Sequence, residues 1–184
     1  MSALVEGAGL ALVRGGRLLF EGLDVSLDAG EGLHLTGANG SGKSSLIRLI
    51  AGLLRPSAGT IVRADASLAD EFLALDPELR LGRALAFWRG PKLDGALAAF
   101  GLDRIADVPV RMLSTGQARR ARLARVMASG APLWLLDEPL NGLDADGVDQ
   151  LAMASRAHRE SGGAVIVASH APLAGDWRAL ELGR

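Results

Sequence analysis

Three stretches near the start, Leu10–Val13, Arg17–Phe20 and Leu23–Leu27, alternate apolar and polar positions around Gly15-Gly16. Alternation with period two buries one face of an extended strand, and a glycine pair supplies the positive φ that a tight reversal needs. The region therefore reads as an antiparallel β layer. Gly32–Thr36 reads as a strand entering a glycine loop. Ser44–Leu54 then carries Leu46, Ile47, Leu49, Ile50, Leu53 and Leu54 at helical spacing. Arg55-Pro56-Ser57-Ala58-Gly59 is a turn signal, and Thr60–Val62 reads as a returning strand.

Between Asp76 and Met112 the pattern breaks into short helical pieces separated by Pro77, Gly82, Gly90, Pro91, Gly95, Gly101 and Pro109, without a strand signal. This predicts a helical insertion, residues 76–118, inside a single domain of residues 1–184. Beyond Ser114 the predicted order is a helix through Ala118–Ala128, a strand Leu133–Leu136, a helix near Asp146–Arg159, a strand Ala164–Ala168 and a last short strand near Ala179–Leu182. Leu133–Leu136 and Ala164–Ala168 are unbroken apolar runs, as in strands covered on both faces. The alternation of strand and helix predicts an α/β fold with a mostly parallel sheet.

A chain of 184 residues buries one substantial core. Although 49% of it is hydrophobic, no apolar run approaches the roughly 20 residues that span a bilayer, so membrane association would need a partner. Met1-Ser2-Ala3-Leu4-Val5-Glu6 lacks the basic start and apolar core of a secretory signal, which points to the cytoplasm. The absence of cysteine excludes disulfides and thiolate metal sites. A net charge of -1 gives no general attraction to nucleic acid, and none is expected as a partner. Arg119, Arg120, Arg122 and Arg125 are expected mostly on the solvated face of one helix, and His34 and His158 as ordinary exposed histidines. The only lysines are Lys43 and Lys92, so a lysine within a glycine loop is a scarce residue in a specific place.

That loop, Gly37-Ala38-Asn39-Gly40-Ser41-Gly42-Lys43-Ser44, with Ser45 following, matches G-x-x-x-x-G-K-[ST] and lies between a predicted strand and helix. Its glycines let successive backbone N–H groups turn inward, and the helix N-terminus adds a positive dipole end. A triphosphate fits this, with Lys43 reaching the β- and γ-phosphates and the Ser44 hydroxyl ligating Mg²⁺. Read without context, the loop is also a glycine turn capped by serine.

Leu133–Leu136 ends in Asp137-Glu138-Pro139. Strand alternation aims the two carboxylates differently. Alone, the pair also reads as solvated acids at a strand end before a proline stop; joined to the glycine loop, Asp137 would hold Mg²⁺, and Glu138 would orient the attacking water or accept its proton. Leu113-Ser114-Thr115-Gly116-Gln117 fits a capping box that starts a helix. Asn141-Gly142-Leu143-Asp144 is an ordinary turn with Asp144 as a helix cap, and His170 follows the strand Ala164–Ala168.

Taken together, in this order and over nearly the whole chain, these segments resemble the ATP-binding subunits of ABC transporters. The resemblance implies a RecA-like P-loop NTPase core, an N-terminal antiparallel β subdomain and a small helical insertion. It implies that Leu113–Gln117 is the family signature, in which Ser114, Gly116 and Gln117 bind the γ-phosphate held by a second copy. Asp144 would then cross the dimer and His170 would contact the γ-phosphate. Ser169-His170-Ala171-Pro172-Leu173, the stretch Leu113–Arg125 and the short length further resemble the cytochrome c maturation, or haem-export, branch. That branch implies ATP and Mg²⁺, a homodimer in the ATP-bound state, a multi-span membrane subunit and haem-handling maturation proteins as partners, and a peripheral position on the cytoplasmic face of the inner membrane.

Two positions depart from the family pattern. Arg14 stands where most members place an aromatic ring against adenine, and Asp76 where a glutamine is expected near the metal. An altered metal contact and slower hydrolysis are the expectation. Phe87 and Trp88 are possible membrane-partner contacts, with core packing as the other use of both. A soluble non-transport ATPase and a nucleotide-gated dimerisation module with little turnover are the alternative readings.

Overall fold

The computed structural model describes residues 3–88 and 93–183, so the predicted breakers Gly90 and Pro91, and Lys92, lie outside the described residues. The chain begins with two long antiparallel strands, β1 (Ala3–Arg14) and β2 (Arg17–Asp28), joined at Gly15-Gly16. The strand pieces foreseen at Arg17–Phe20 and Leu23–Leu27 form one strand, because register shifts between Gly7 and Leu10 and between Leu10 and Leu12 let the ladder continue past its irregularities. After β3 (Gly32–Thr36) and α1 (Lys43–Ile50), β4 (Ala58–Arg63) returns to pair with β1, giving a three-stranded sheet in the order β2-β1-β4. Helix α1 stops at Ile50, short of the expected Leu54. Gly52 adopts φ 78, Leu53 and Leu54 both turn back to the Arg48 carbonyl, and Pro56 follows.

The chain continues through β5 (Ala66–Ala69), α2 (Leu81–Ala86), α3 (Leu93–Ala99), two short 3-10 turns at Asp103–Ile105 and Val110–Met112, α4 (Thr115–Ala128), β6 (Leu133–Asp137), α5 (Ala145–Glu160), β7 (Ala164–Ala168) and β8 (Arg178–Glu181). A five-stranded sheet runs β5-β6-β7-β3-β8, with every pairing parallel. Strand β5 was not foreseen from the sequence. It is four residues long and built of alanine, serine and leucine, so its extended form depends on pairing with β6 more than on intrinsic preference.

The mixed α/β architecture separates two cores across the parallel sheet. Leu133, Leu135, Ala164, Ile166 and Ala168 face α1 and the antiparallel layer, while Trp134, Leu136, Val165 and Val167 face α2 to α5. Each strand thus divides its apolar side chains between both faces, which is why neither run shows polar alternation. The carboxyl ends of β3, β6 and β7 all emerge on one side, and each leads into a segment carrying candidate chemistry.

Candidate functional site

At the end of β3, Gly37 has φ 131, and a Cβ there would strike the Leu182 carbonyl. Gly42, the N-cap of α1, has φ 105 and offers no side chain to the first-turn N–H groups, which stay directed into the loop. Lys43 is only 6% exposed. Its ammonium donates to the Gly37 carbonyl at 2.8 Å and the Ala38 carbonyl at 3.1 Å, so the loop curls around a buried cation. The loop is closed by the Ser41 N–H donating to the Ala38 carbonyl at 3.2 Å.

Ser44 donates its hydroxyl to Asp137 Oδ1 at 2.8 Å, joining α1 to the end of β6. Burial pushes the Asp137 carboxyl up from its ordinary value. The Ser44 hydrogen bond and the nearby Arg48 guanidinium oppose that shift. A half-buried carboxylate beside a hydroxyl is a hard-oxygen pair that suits Mg²⁺.

The raised Asp137 value also sets a pH dependence. Folded Asp137 binds its proton more tightly than the unfolded chain does, so stability falls as pH rises from the ordinary carboxylate range through the raised value. In metal-free buffer, Asp137→Asn is expected to melt higher than wild type at neutral pH and close to it near pH about 4. A lower neutral-pH melting point would contradict this.

Glu138 lies just past β6 with φ 48, a left-handed conformation unusual for a side-chain-bearing residue. It is held there by its own N–H, which donates to the Ala168 carbonyl at 2.8 Å, and its Oε1 lies 3.4 Å from His170 Nε2. Strand alternation predicts diverging carboxylates; Asp137 and Glu138 nevertheless line one cavity together, and this backbone twist helps to set the course of the chain at Glu138. Strain of this kind costs on the order of 1–3 kcal/mol. Glu138→Gly should therefore raise unfolding stability by about 1 kcal/mol, whereas Glu138→Gln, which keeps the strain, should not. Chemical denaturation of the two variants measures the difference.

A cavity of about 490 Å³ brings the loop residues Asn39, Lys43 and Ser44 together with Arg14, Glu138 and His170. Arg14 Nη1 donates to Ser45 Oγ at 3.4 Å, and so lies against the start of α1. A second cavity, of about 600 Å³, adjoins the first through Ser44 and Glu138 and contains Arg48, Glu71, Arg119 and Asp137.

Several sequence-derived candidates lie elsewhere. Ser114 and Gln117 close the foreseen capping box: the Ser114 N–H donates to Gln117 Oε1 at 2.9 Å, and the Gln117 N–H to Ser114 Oγ at 3.2 Å. Neither these two nor Gly116 lines the cavity beside the phosphate loop of their own chain. Asp144 caps α5 through the Gly147 N–H at 3.0 Å and is also outside that cavity. Asp76 spends Oδ1 on the Glu78 N–H at 2.9 Å and lines neither cavity. From the segment after β5, the charge of Asp70 helps to push the Asp137 carboxyl up, and the acidic side chain that shares the second cavity with Asp137 is Glu71. Counting from the end of β5 would have found it, but that strand was not recognised.

The arginines of α4 are less solvated than expected. Arg119 donates to the Gly142 carbonyl at 2.7 Å, Arg122 to the Asp70 carbonyl, and Arg125, 5% exposed, to the Leu68 carbonyl beneath the Trp88 ring. They tie the helix behind Ser114 to the segments flanking the second cavity. Desolvation is the main reason that the Arg122 and Arg125 values lie below normal. Phe87, in contrast to Trp88, is 76% exposed.

The profile of the family described as ABC transporter matches residues 20–141, a span holding the phosphate loop, Ser114–Gln117, Asp137 and Glu138. The chain belongs to the ABC transporter family. The cytochrome c biogenesis ATP-binding export protein CcmA of Novosphingobium aromaticivorans is 59% identical over 167 residues, covering 90% of this chain and 87% of that protein. The protein of the same name from Sphingopyxis alaskensis is 53% identical, covering 95% of this chain and 93% of its own. A solved ATP-binding subunit of an ABC transporter superposes with a TM-score of 0.81 at 25% identity, over 91% of this chain and 79% of that one. A dimeric ATP-binding cassette bound to ADP and Pi shares the fold, with a TM-score of 0.78 at 22% identity, over 91% of this chain and 88% of that one. This ABC transporter chain thus carries the family's parallel sheet and antiparallel layer.

Proposed function

We propose that this chain is the ATP-hydrolysing subunit of an export machine for cytochrome c biogenesis, the haem-export system. The observation that carries the enzymatic part is the meeting of Lys43, Ser44, Glu138 and His170 around one cavity, with Asp137 bonded to Ser44 behind it. The finer assignment rests on relatives named as cytochrome c biogenesis ATP-binding export proteins, similar over nine-tenths of this chain.

The triphosphate would lie in the loop from Gly37 to Ser44, against the α1 N-terminus, with Lys43 turning its ammonium from the loop carbonyls to the β- and γ-phosphates. Arg14 would lay its guanidinium plane along the adenine. Mg²⁺, held by Ser44 and Asp137, would neutralise charge on the phosphate oxygens. Glu138 would orient a water toward the γ-phosphorus: the water oxygen bonds to phosphorus, the bond to the bridging oxygen breaks, and the water proton passes to the carboxylate. His170 would steady Glu138 and donate to the γ-phosphate.

A second copy would complete the site, with its Ser114, Gly116 and Gln117 supplying N–H and hydroxyl groups to the γ-phosphate. That these residues lie outside their own chain's cavity supports this reading. Asp144 would sit at the same interface. Among the described residues no helix is long and apolar enough to cross a membrane. We place the chain peripherally on the cytoplasmic face of the inner membrane, against a multi-span subunit serving haem-handling maturation proteins. The exposed Phe87 is a candidate contact. Purification from membranes with identification of the bound subunit tests this; recovery with ribosomes or DNA in place of membranes would overturn it.

A further inference from the structure

The two candidate reactive side chains share one anchor. Glu138 is fixed by its N–H to the Ala168 carbonyl, and His170 lies two residues beyond Ala168. Between them Ser169, only 2% exposed, turns the chain out of the sheet, its hydroxyl accepting from the Ala171 N–H at 3.1 Å. The Ser169 carbonyl points back into the sheet, where His34 Nε2 lies 3.0 Å away. A carbonyl only accepts, so the ring presents its Nε2 hydrogen to it.

We propose that His34 is a positioning residue for hydrolysis, setting the place of His170, and through it Glu138, relative to the phosphate loop. His34 stands on β3, the strand that runs directly into Gly37. Ser169 stands at the exit of β7, the neighbouring strand that runs directly into His170. The ladder between them ends at Leu35 opposite Ala168, so Ser169 lies past the last paired residue. Beyond that point the His34 side chain supplies the cross-strand tie that the backbone ladder no longer supplies. The tie joins the strand holding the triphosphate to the strand holding the histidine that answers to it. An error of about 1 Å in such a relationship is enough to cost up to about a hundredfold in rate while leaving the ligand-binding loop intact.

This inference rests on the proposed ATPase reaction and is tested against it with purified full-length chains. Steady-state phosphate release from MgATP, equilibrium binding of ATP and thermal melting are measured for wild type, His34→Leu, His34→Gln and Glu138→Gln. His34→Leu is expected to lower kcat about tenfold with ATP affinity changed less than about twofold, because the lost contact acts only on alignment. His34→Gln, whose amide N–H can reach the same carbonyl, is expected to recover kcat to within about threefold of wild type.

Equal kcat for His34→Leu and wild type would overturn the inference. So would an equal loss in the leucine and glutamine variants, or a loss of ATP affinity that accounts for the whole effect. If wild type itself releases no phosphate, it is the proposed reaction that fails. If wild type is active and Glu138→Gln is not, the reaction stands and the His34 variants alone decide.

Discussion

Glu138→Gln is expected to cut phosphate release by about two to three orders of magnitude while ATP affinity stays within about threefold. The amide keeps the size of the carboxylate and the hydrogen-bonding reach toward His170, and the backbone strain at φ 48 is unchanged. What it loses is the capacity to take a proton from water. A loss confined to kcat is the signature of an interaction made in the transition state. The same substitution separates an enzyme from a nucleotide-gated module: unchanged phosphate release would remove Glu138 from the mechanism.

Lys43→Ala should have the opposite profile, with ATP affinity falling by about a hundredfold or more. Its ammonium is the cation at the centre of the loop, 6% exposed and surrounded by carbonyls that cannot themselves bind phosphate. Removing it leaves the Gly37 and Ala38 carbonyls facing the triphosphate with no intervening positive charge. Titration of a fluorescent ATP analogue measures the loss, and melting curves with and without MgATP give a second readout, since a ligand that no longer binds no longer stabilises. Retention of near wild-type affinity would contradict the placement of the triphosphate.

The loop from Gly37 to Ser44 was legible in the sequence as a glycine loop between strand and helix because its backbone demands are written in residue type: Gly37 and Gly42 occupy conformations that few other residues tolerate. Strands β6 and β7 were legible because burial on both faces leaves an unbroken apolar run. Strand β5 was not, since Ala66–Ala69 has little intrinsic β preference and forms by pairing with a strand more than sixty residues later in the chain. That omission left Glu71, which lines a cavity with Asp137, unread, while Asp76, which lines neither cavity, was singled out. The left-handed turn at Glu138 was also invisible, because it is imposed by a hydrogen bond to β7 and not by a glycine.

Side chains with long-range partners were misread for the same reason. His34 and His158 look alike in sequence, yet one reaches the Ser169 carbonyl and the other stacks on Trp134 with centroids 4.0 Å apart. The arginines of α4 follow a helical surface pattern, but their acceptors are carbonyls on β5, on the segment after it and at Gly142, which no local pattern reveals. Gly142, at φ 69, leaves room for the Arg119 guanidinium that a Cβ would displace.

ATP held and hydrolysed between two copies of this chain requires those copies to associate when nucleotide is bound. Sedimentation of Glu138→Gln with and without MgATP tests that association most directly, because this variant should bind nucleotide without consuming it. The expected result is the mass of one chain without nucleotide and of two with it, and reversion to one chain when Ser114→Arg is added. A single-chain mass with saturating MgATP, or a dimer indifferent to both nucleotide and Ser114, would contradict the account.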